Sequence, residues 1–215
     1  HHGAAIFMKG KIHGTDAHGA RPHQGQNAID VLVAIHQFIN NLHIDPFEAC
    51  SVKMTRMQAD GGSINIIPGN AEFSIDIRAQ KNEVLSQLIE KVEHGIQMIK
   101  SMYNIDISVE WYDRTPGAVV HKGAAKIAEL SIIEALGINA LAPEIHTPGS
   151  DDFHYYTVMN SQLKAAMIGV GADLAPGLHH PQMTFNKQAL FDGIKVIATT
   201  LKNAANVPNG QQKDV

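Results

Sequence analysis

Only one of the 215 residues, Cys50, is a cysteine, so the chain can form no internal disulfide and a reducing cytoplasm is the expected compartment. No apolar run approaches the roughly 18 residues of a membrane span, and no signal-peptide pattern is visible. Neither sign of charge dominates. The net charge of -4 gives no general attraction to nucleic acid or to anionic membrane, and small molecules or other protein chains are the expected partners. A Gly-x-Ser-x-Gly elbow, a P-loop, a Gly-x-Gly-x-x-Gly turn and an adjacent Glu-Glu pair are also absent. The chain has no initiating methionine and enters AAIFMKGKI directly. It reads as a piece of a longer protein, with His1 and His2 set aside as tag-like.

Histidine is abundant, at 13 residues, and it is both the commonest metal ligand and the usual acid or base near neutral pH. The first half alternates strand and helix signals. Residues 4–15 are strand-like, and in residues 27–41 Ala28, Val31, Leu32, Ile35 and Ile39 form one helical stripe. Residues 51–59 read as a strand. In AEFSIDIRA, Ala71, Phe73, Ile75 and Ile77 alternate with polar residues. A second helix is expected over about 82–101, then a strand with Ile105, Ile107, Val109 and Trp111 on one face. The order β-α-β-β-α-β predicts a ferredoxin-like sandwich with helices on one face of an antiparallel sheet.

Further on, residues 123–136 predict a helix stopped by Gly137. Ser150 is the expected N-cap of a helix in DDFHYYTVM, LKAAMIGVG reads as a buried strand, and residues 187–204 as a last helix.

Three places could hold chemistry. In GTDAHGARPH, glycines and a proline fix a tight path for His18 and His23, which could polarise a substrate oxygen or move a proton. The plainer alternative is two solvated loop histidines. In SINIIPGN and the strand that follows, Asn65 precedes the strand and Arg78 lies on its polar face. A guanidinium there could clamp a carboxylate or simply pair with Asp76 or Glu72. In the loop GLHHP, His179 or His180 could bind metal, but zinc needs three or four protein ligands. His43 and Asp45 have ligand spacing, yet a helix-to-strand connection explains them better.

GTDAHGARPHQGQNAIDV, GGSINIIPGNAEFSIDIRA, GSDDFHYY and GLHHPQMTF follow one another in this order. Together they resemble the metal-dependent amidohydrolases of the aminoacylase/carboxypeptidase superfamily, in particular the bacterial N-acyl-amino-acid amidohydrolases that include hippurate hydrolases. The resemblance covers nearly all of residues 3–205. It implies an α/β catalytic domain with two zinc ions, or manganese or cobalt in their place, interrupted by an α+β ferredoxin-like lid that dimerises. Residues 4–114 match the lid, residues 115–205 the C-terminal part of the catalytic domain, and 206–215 a polar tail. The N-terminal part of the catalytic domain, with most metal ligands and the general-base glutamate, has no counterpart here.

The resemblance also implies roles. His18 would reach into the partner subunit's active site of a homodimer and stabilise the oxyanion, with His23 supporting. Asn65 would contact substrate, Arg78 would bind the carboxylate of an N-acyl amino acid or dipeptide-like substrate, and Gly149 would line the pocket, with Asp151 and Asp152 capping the helix that follows. His179 would be a metal ligand, and the reaction would be amide hydrolysis by a metal-activated water. The competing reading is that the chain alone is a non-catalytic dimerisation and substrate-recognition module.

Overall fold

A computed structural model describes residues 1–206, and the expected polar tail lies outside the described residues from 207 on. The chain packs as two units, one of His1–Ala118 with His146–Tyr155, the other of Val119–Ile145 with the described residues from Tyr156 on.

The first unit contains β1 (Ala4–His13), β2 (Ala17–His18), α1 (Ala28–Asn40), β3 (Cys50–Ala59), β4 (Ile66–Ile67), β5 (Asn70–Ala79), α2 (Asn82–Tyr103) and β6 (Asp106–Thr115). Four strands form one sheet in the order β3-β5-β1-β6, every neighbouring pair antiparallel. With α1 and α2 as crossovers, this is the expected β-α-β-β-α-β sandwich. The two-residue strands β2 and β4 pair only with each other, as a ribbon outside the sheet.

Period-two alternation in β1 and β5 turns Met8, Ile12, Phe73, Ile75 and Ile77 to one face. The stripes of α1 and α2 close over them with Leu32, Ile35, Leu85, Leu88 and Val92. Each such side chain contributes about 1.5–3 kcal/mol of transfer free energy when fully buried. Asn27 starts α1 by accepting from the Ile29 N–H at 3.1 Å, and α2 ends at Asn104, whose left-handed φ of 49° closes the helix. Gly95 lets the helices touch, because a Cβ there would lie 2.0 Å from the Phe38 ring. The sequence pattern needs one amendment here. Ile105 and Ile107 are buried, but Val109 is exposed and Trp111 half-buried, since β6 is an edge strand covered along one side only.

The second unit contains α3 (Lys122–Leu136), most of α4 (Tyr155–Met159) and α5 (Ala189–Ala205). α3 packs on α5, with buried Ser131 donating to Ile127 O at 2.7 Å and accepting from the Asn203 amide at 3.0 Å. Two expectations are corrected. Of the two cap readings, Asp151 holds and Ser150 does not, the Asp151 carboxylate accepting from the Phe153 N–H at 2.9 Å before α4; an anionic acceptor forms a stronger cap bond than a hydroxyl. Residues 163–171 form no strand, and Leu163, Met167 and Val170 are exposed. A strand exists only by pairing, and no strand runs beside this segment among the described residues. Leu190, Ile194, Ile197 and Leu201 are likewise exposed along one stripe of α5. No described helix is long and apolar enough to cross a membrane.

Candidate functional site

His18 sits on the β2/β4 ribbon, opposite Ile66. Ala17 points inward and is buried, so the alternation of an extended chain turns the His18 ring outward. The ribbon is held by bonds from both sides. Gly14 N–H donates to Gly69 O at 2.8 Å and Gly19 N–H to Asn65 O at 2.7 Å, while Gly69 N–H donates to the Asp16 carboxylate at 2.6 Å. Gly69 has no room for a side chain, since a Cβ would lie 2.5 Å from Thr15 C and 2.7 Å from Asp16 N.

The ring's own bonds set its chemistry. The Ala20 N–H donates to His18 Nδ1 at 3.1 Å. A nitrogen that accepts carries no proton, which assigns the N–H to Nε2. Asn65 lies beside that nitrogen, its amide 3.4 Å away, and is itself held by the Ser63 hydroxyl at 2.9 Å. An imidazole N–H and a carboxamide therefore share one exposed spot, able to donate to an oxygen that gains charge.

Arg78 lies near the far end of β5. Its Nε and Nη2 donate to the Asp76 carboxylate at 2.9 and 3.1 Å, the pairing weighed in the sequence, and its Nη1 donates to Pro148 O at 3.4 Å. The guanidinium lies 5.7 Å from the centre of the Phe7 ring. Three of its five N–H groups are thus occupied, and two remain to receive a carboxylate.

Pro148 and Gly149 reach this place because residues His146–Tyr155 pack with the first unit. There Gly3 N–H donates to Thr147 O and Gly149 O, both at 3.0 Å. Arg78 and Gly149, 71 positions apart in sequence, are thereby neighbours through Pro148.

The ribbon and the Arg78 end are not brought together. β1 pairs its His13 with Asn70 at one end of β5 and its Ala5 with Arg78 at the other. Eight residues of strand span about 26 Å at roughly 3.3 Å per residue, and His18 belongs to the Asn70 end.

The remaining histidines fall elsewhere. His23 is exposed on a single 3-10 turn, Pro22–Gln24. His43 and Asp45 lie in the connection from α1 to β3, where Asp45 accepts from the Phe47 N–H at 3.0 Å, so the connection reading fits. His179 is in the second unit, exposed and with a φ of 62°, on a loop whose ends are clipped by the Ala175–Thr184 pair. It belongs to no group of three His, Cys, Asp or Glu residues close enough to hold a metal among the described residues. One imidazole does not hold a metal ion, so His179 makes no metal site by itself among the described residues.

Two contributors escaped the sequence patterns. Asp16 reaches Gly69 across 53 positions, for which no local signal exists. His154 is buried against His2 at 3.2 Å. Burial, then the neighbouring His2, push its pKa below the usual histidine value, with Asp151 opposing.

Known proteins share this architecture. Residues 1–100 match the family of the peptidase dimerisation domain, M20 type. An N-acetylcysteine deacetylase of Bacillus subtilis is 27% identical over 191 residues, 86% of this chain and 47% of that protein. An N-acetyldiaminopimelate deacetylase of Streptococcus pneumoniae is 27% identical over 207 residues, 92% of this chain and 52% of that protein. The chain spans about half the length of the curated relatives it matches. Among solved structures, aminopeptidase PepT of Bacillus cereus has a TM-score of 0.76 at 15% identity, covering 95% of this chain and 53% of that one. A Bacillus subtilis protein described as a dinuclear metal binding peptidase of the M20 family has a TM-score of 0.71 at 21% identity, covering 93% and 49%. At these identities the structures speak to fold alone.

Proposed function

Because residues 1–100 match the peptidase dimerisation domain of M20 type, we propose that the parent protein is an amidohydrolase acting on N-acyl amino acids or dipeptide-like amides, and that it works as a homodimer. The observation that carries the proposal is the pairing of two donor sites at opposite ends of one lid.

In an N-acyl amino acid the scissile carbonyl carbon and the carboxylate carbon are separated by three covalent bonds, about 4 Å in all. Arg78 lies about 26 Å along β5 from the Asn70 end to which His18 belongs, so His18 and Arg78 of one chain cannot both touch it. A two-fold dimer brings the His18 end of one copy to the Arg78 end of the other. In that assembly Arg78 takes the substrate carboxylate with its two remaining N–H groups, oriented by Asp76 and Pro148 O. The Nε2–H of the partner copy's ribbon histidine, with the asparagine beside it, donates to the carbonyl oxygen as it becomes tetrahedral. Gly149 leaves space at the Arg78 end, and His23 stays in support at the rim of the ribbon.

The lid offers a surface for that dimer. Phe38 against Gly95 turns one flank of α1 to α2. Half a turn round the helix, Ile29 and Val33 are each 43% exposed on the side of β3, an edge strand of the sheet. An unpaired edge flanked by apolar side chains is self-complementary.

His179 would be one ligand of a zinc, manganese or cobalt centre completed by groups other than those described, and no step is derived through that centre. The exposed stripe of α5 suits a chain that forms part of a larger fold. The same incomplete ligand set favours a second reading for the chain taken alone, a dimerisation and substrate-recognition module without activity.

The test is hydrolysis of N-acetyl amino acids by the intact protein. His18→Ala should lower turnover by about 10²–10³-fold, the usual loss for one oxyanion donor, with folding retained. A change within a few-fold would remove the oxyanion role. For the isolated 215-residue chain, bound metal together with amidase activity would defeat the module reading.

A further inference from the structure

We propose that Asp16 is a positioning residue for His18, an inference that rests on the reading of His18 as oxyanion donor. A ribbon of two residue pairs has too few contacts to hold its own geometry, yet His18 and Asn65 must stay aligned to donate to one oxygen. Something outside the ribbon has to fix the two segments against each other.

Backbone bonds at Gly14 and Gly19 do part of this. Among the described residues, the side chains that bridge the two segments are His18 beside Asn65, where two donors adjoin without a bond between them, and Asp16, which accepts from Gly69 N–H at 2.6 Å. The first belongs to the donor pair, which leaves Asp16 as the side chain that sets it. Asp16 is two residues before His18, and Gly69 is four after Asn65, so this bond pins both segments at the end of the ribbon away from the donors. A carboxylate accepting from an N–H makes a shorter and stronger bond than a neutral acceptor. The absence of a side chain at Gly69 brings the two backbones into direct contact, so a change at Asp16 passes through Pro68 and Ile67 to Asn65.

Asp16 touches no reacting atom in this scheme, and its effect passes entirely through His18 and Asn65. The experiment is a double-mutant cycle in the intact protein, read as kcat and KM for an N-acetyl amino acid. Asp16→Ala should lower kcat about 10-fold with KM nearly unchanged, since small misplacements of catalytic groups cost rate rather than binding. Asp16→Asn, whose amide oxygen still accepts from Gly69, should stay within about threefold of the parent. In a His18→Ala background, Asp16→Ala should cost clearly less than 10-fold, because only Asn65 is left to be displaced.

A second readout is the tautomer of His18 in nitrogen NMR of the histidine-labelled protein. A single Nε2–H form is expected in the parent and in Asp16→Asn, and a mixture in Asp16→Ala. If Asp16→Ala does not fold, Asp16→Ser, whose oxygen falls short of Gly69, carries the same expectations. Additive losses in the double variant, or an unchanged kcat in Asp16→Ala, would overturn the positioning role while leaving His18 in place. A His18→Ala protein of full activity would remove the oxyanion reading, and the role of Asp16 with it.

Discussion

Replacing Gly69 by alanine adds one methyl group at the point where the Pro68 turn meets the His18 loop. That Cβ would stand 2.5 Å from Thr15 C, 2.6 Å from Thr15 N and 2.7 Å from Asp16 N. Ordinary contacts begin at 3.4 Å, so the overlap is about 0.7–0.9 Å. All three atoms are backbone and no rotamer change relieves the overlap. Either the loop or the turn must move by nearly that amount. Overpacking of this kind costs about 1–3 kcal/mol. Loss of the bonds from Gly69 N–H to Asp16 and from Gly14 N–H to Gly69 O adds about 1 kcal/mol each. The sheet core, built from other residues, is untouched, so the first unit should stay folded with a lowered Tm. The donors His18 and Asn65 move relative to each other, and a displacement near 1 Å costs on the order of 10²-fold in turnover. Thermal unfolding and N-acetyl amino acid hydrolysis on the intact protein measure the two effects. A Gly69→Ala protein with the parent's Tm and turnover would refute the claim that this contact sets the ribbon.

Other expectations concern the dimer and pH. Val33→Glu places a charge on the exposed flank of α1 beside β3 and should shift the protein from dimer to monomer in sedimentation, with little loss of Tm; an unchanged dimer would move the interface elsewhere. His154 has a native pKa below its ordinary value of 6.5, so between the two values the unfolded chain binds the extra proton and the folded one does not. Stability from this group is complete above about pH 6.5 and falls as the pH drops below it. His154→Gln should flatten the decline in urea-unfolding free energy between about pH 7 and 5, and an identical slope in both proteins would remove the effect.

The sandwich was legible because its signals are local and agree. β5 alternates without interruption, and α1 and α2 carry continuous stripes. Residues 163–171 were misread because an apolar run records a preference for burial and not the presence of a neighbour to pair with. The cap before α4 went to Asp151 because adjacent Ser and Asp are both good caps, and only the turn's geometry decides between them. Arg78 had two readings in the sequence. The structure shows the ion pair with Asp76 and two N–H groups left over, which the sequence could not count. Asp16 carried no signal, since its partner is a backbone N–H 53 positions away. Nor could any pattern show that His18 and Arg78 end up at opposite ends of β5.

That separation makes the proposed sharing of one active site by two chains directly measurable. His18→Ala and Arg78→Ala proteins, each nearly inactive alone, are mixed in equal amounts under conditions that exchange subunits. The mixed dimer then has one site with both defects and one with neither. Random exchange makes half of the dimers mixed, so activity should recover to about one quarter of the parent's for a two-fold assembly. A mixture that stays as inactive as its components after full exchange would contradict the claim that His18 of one copy serves the substrate held by Arg78 of the other.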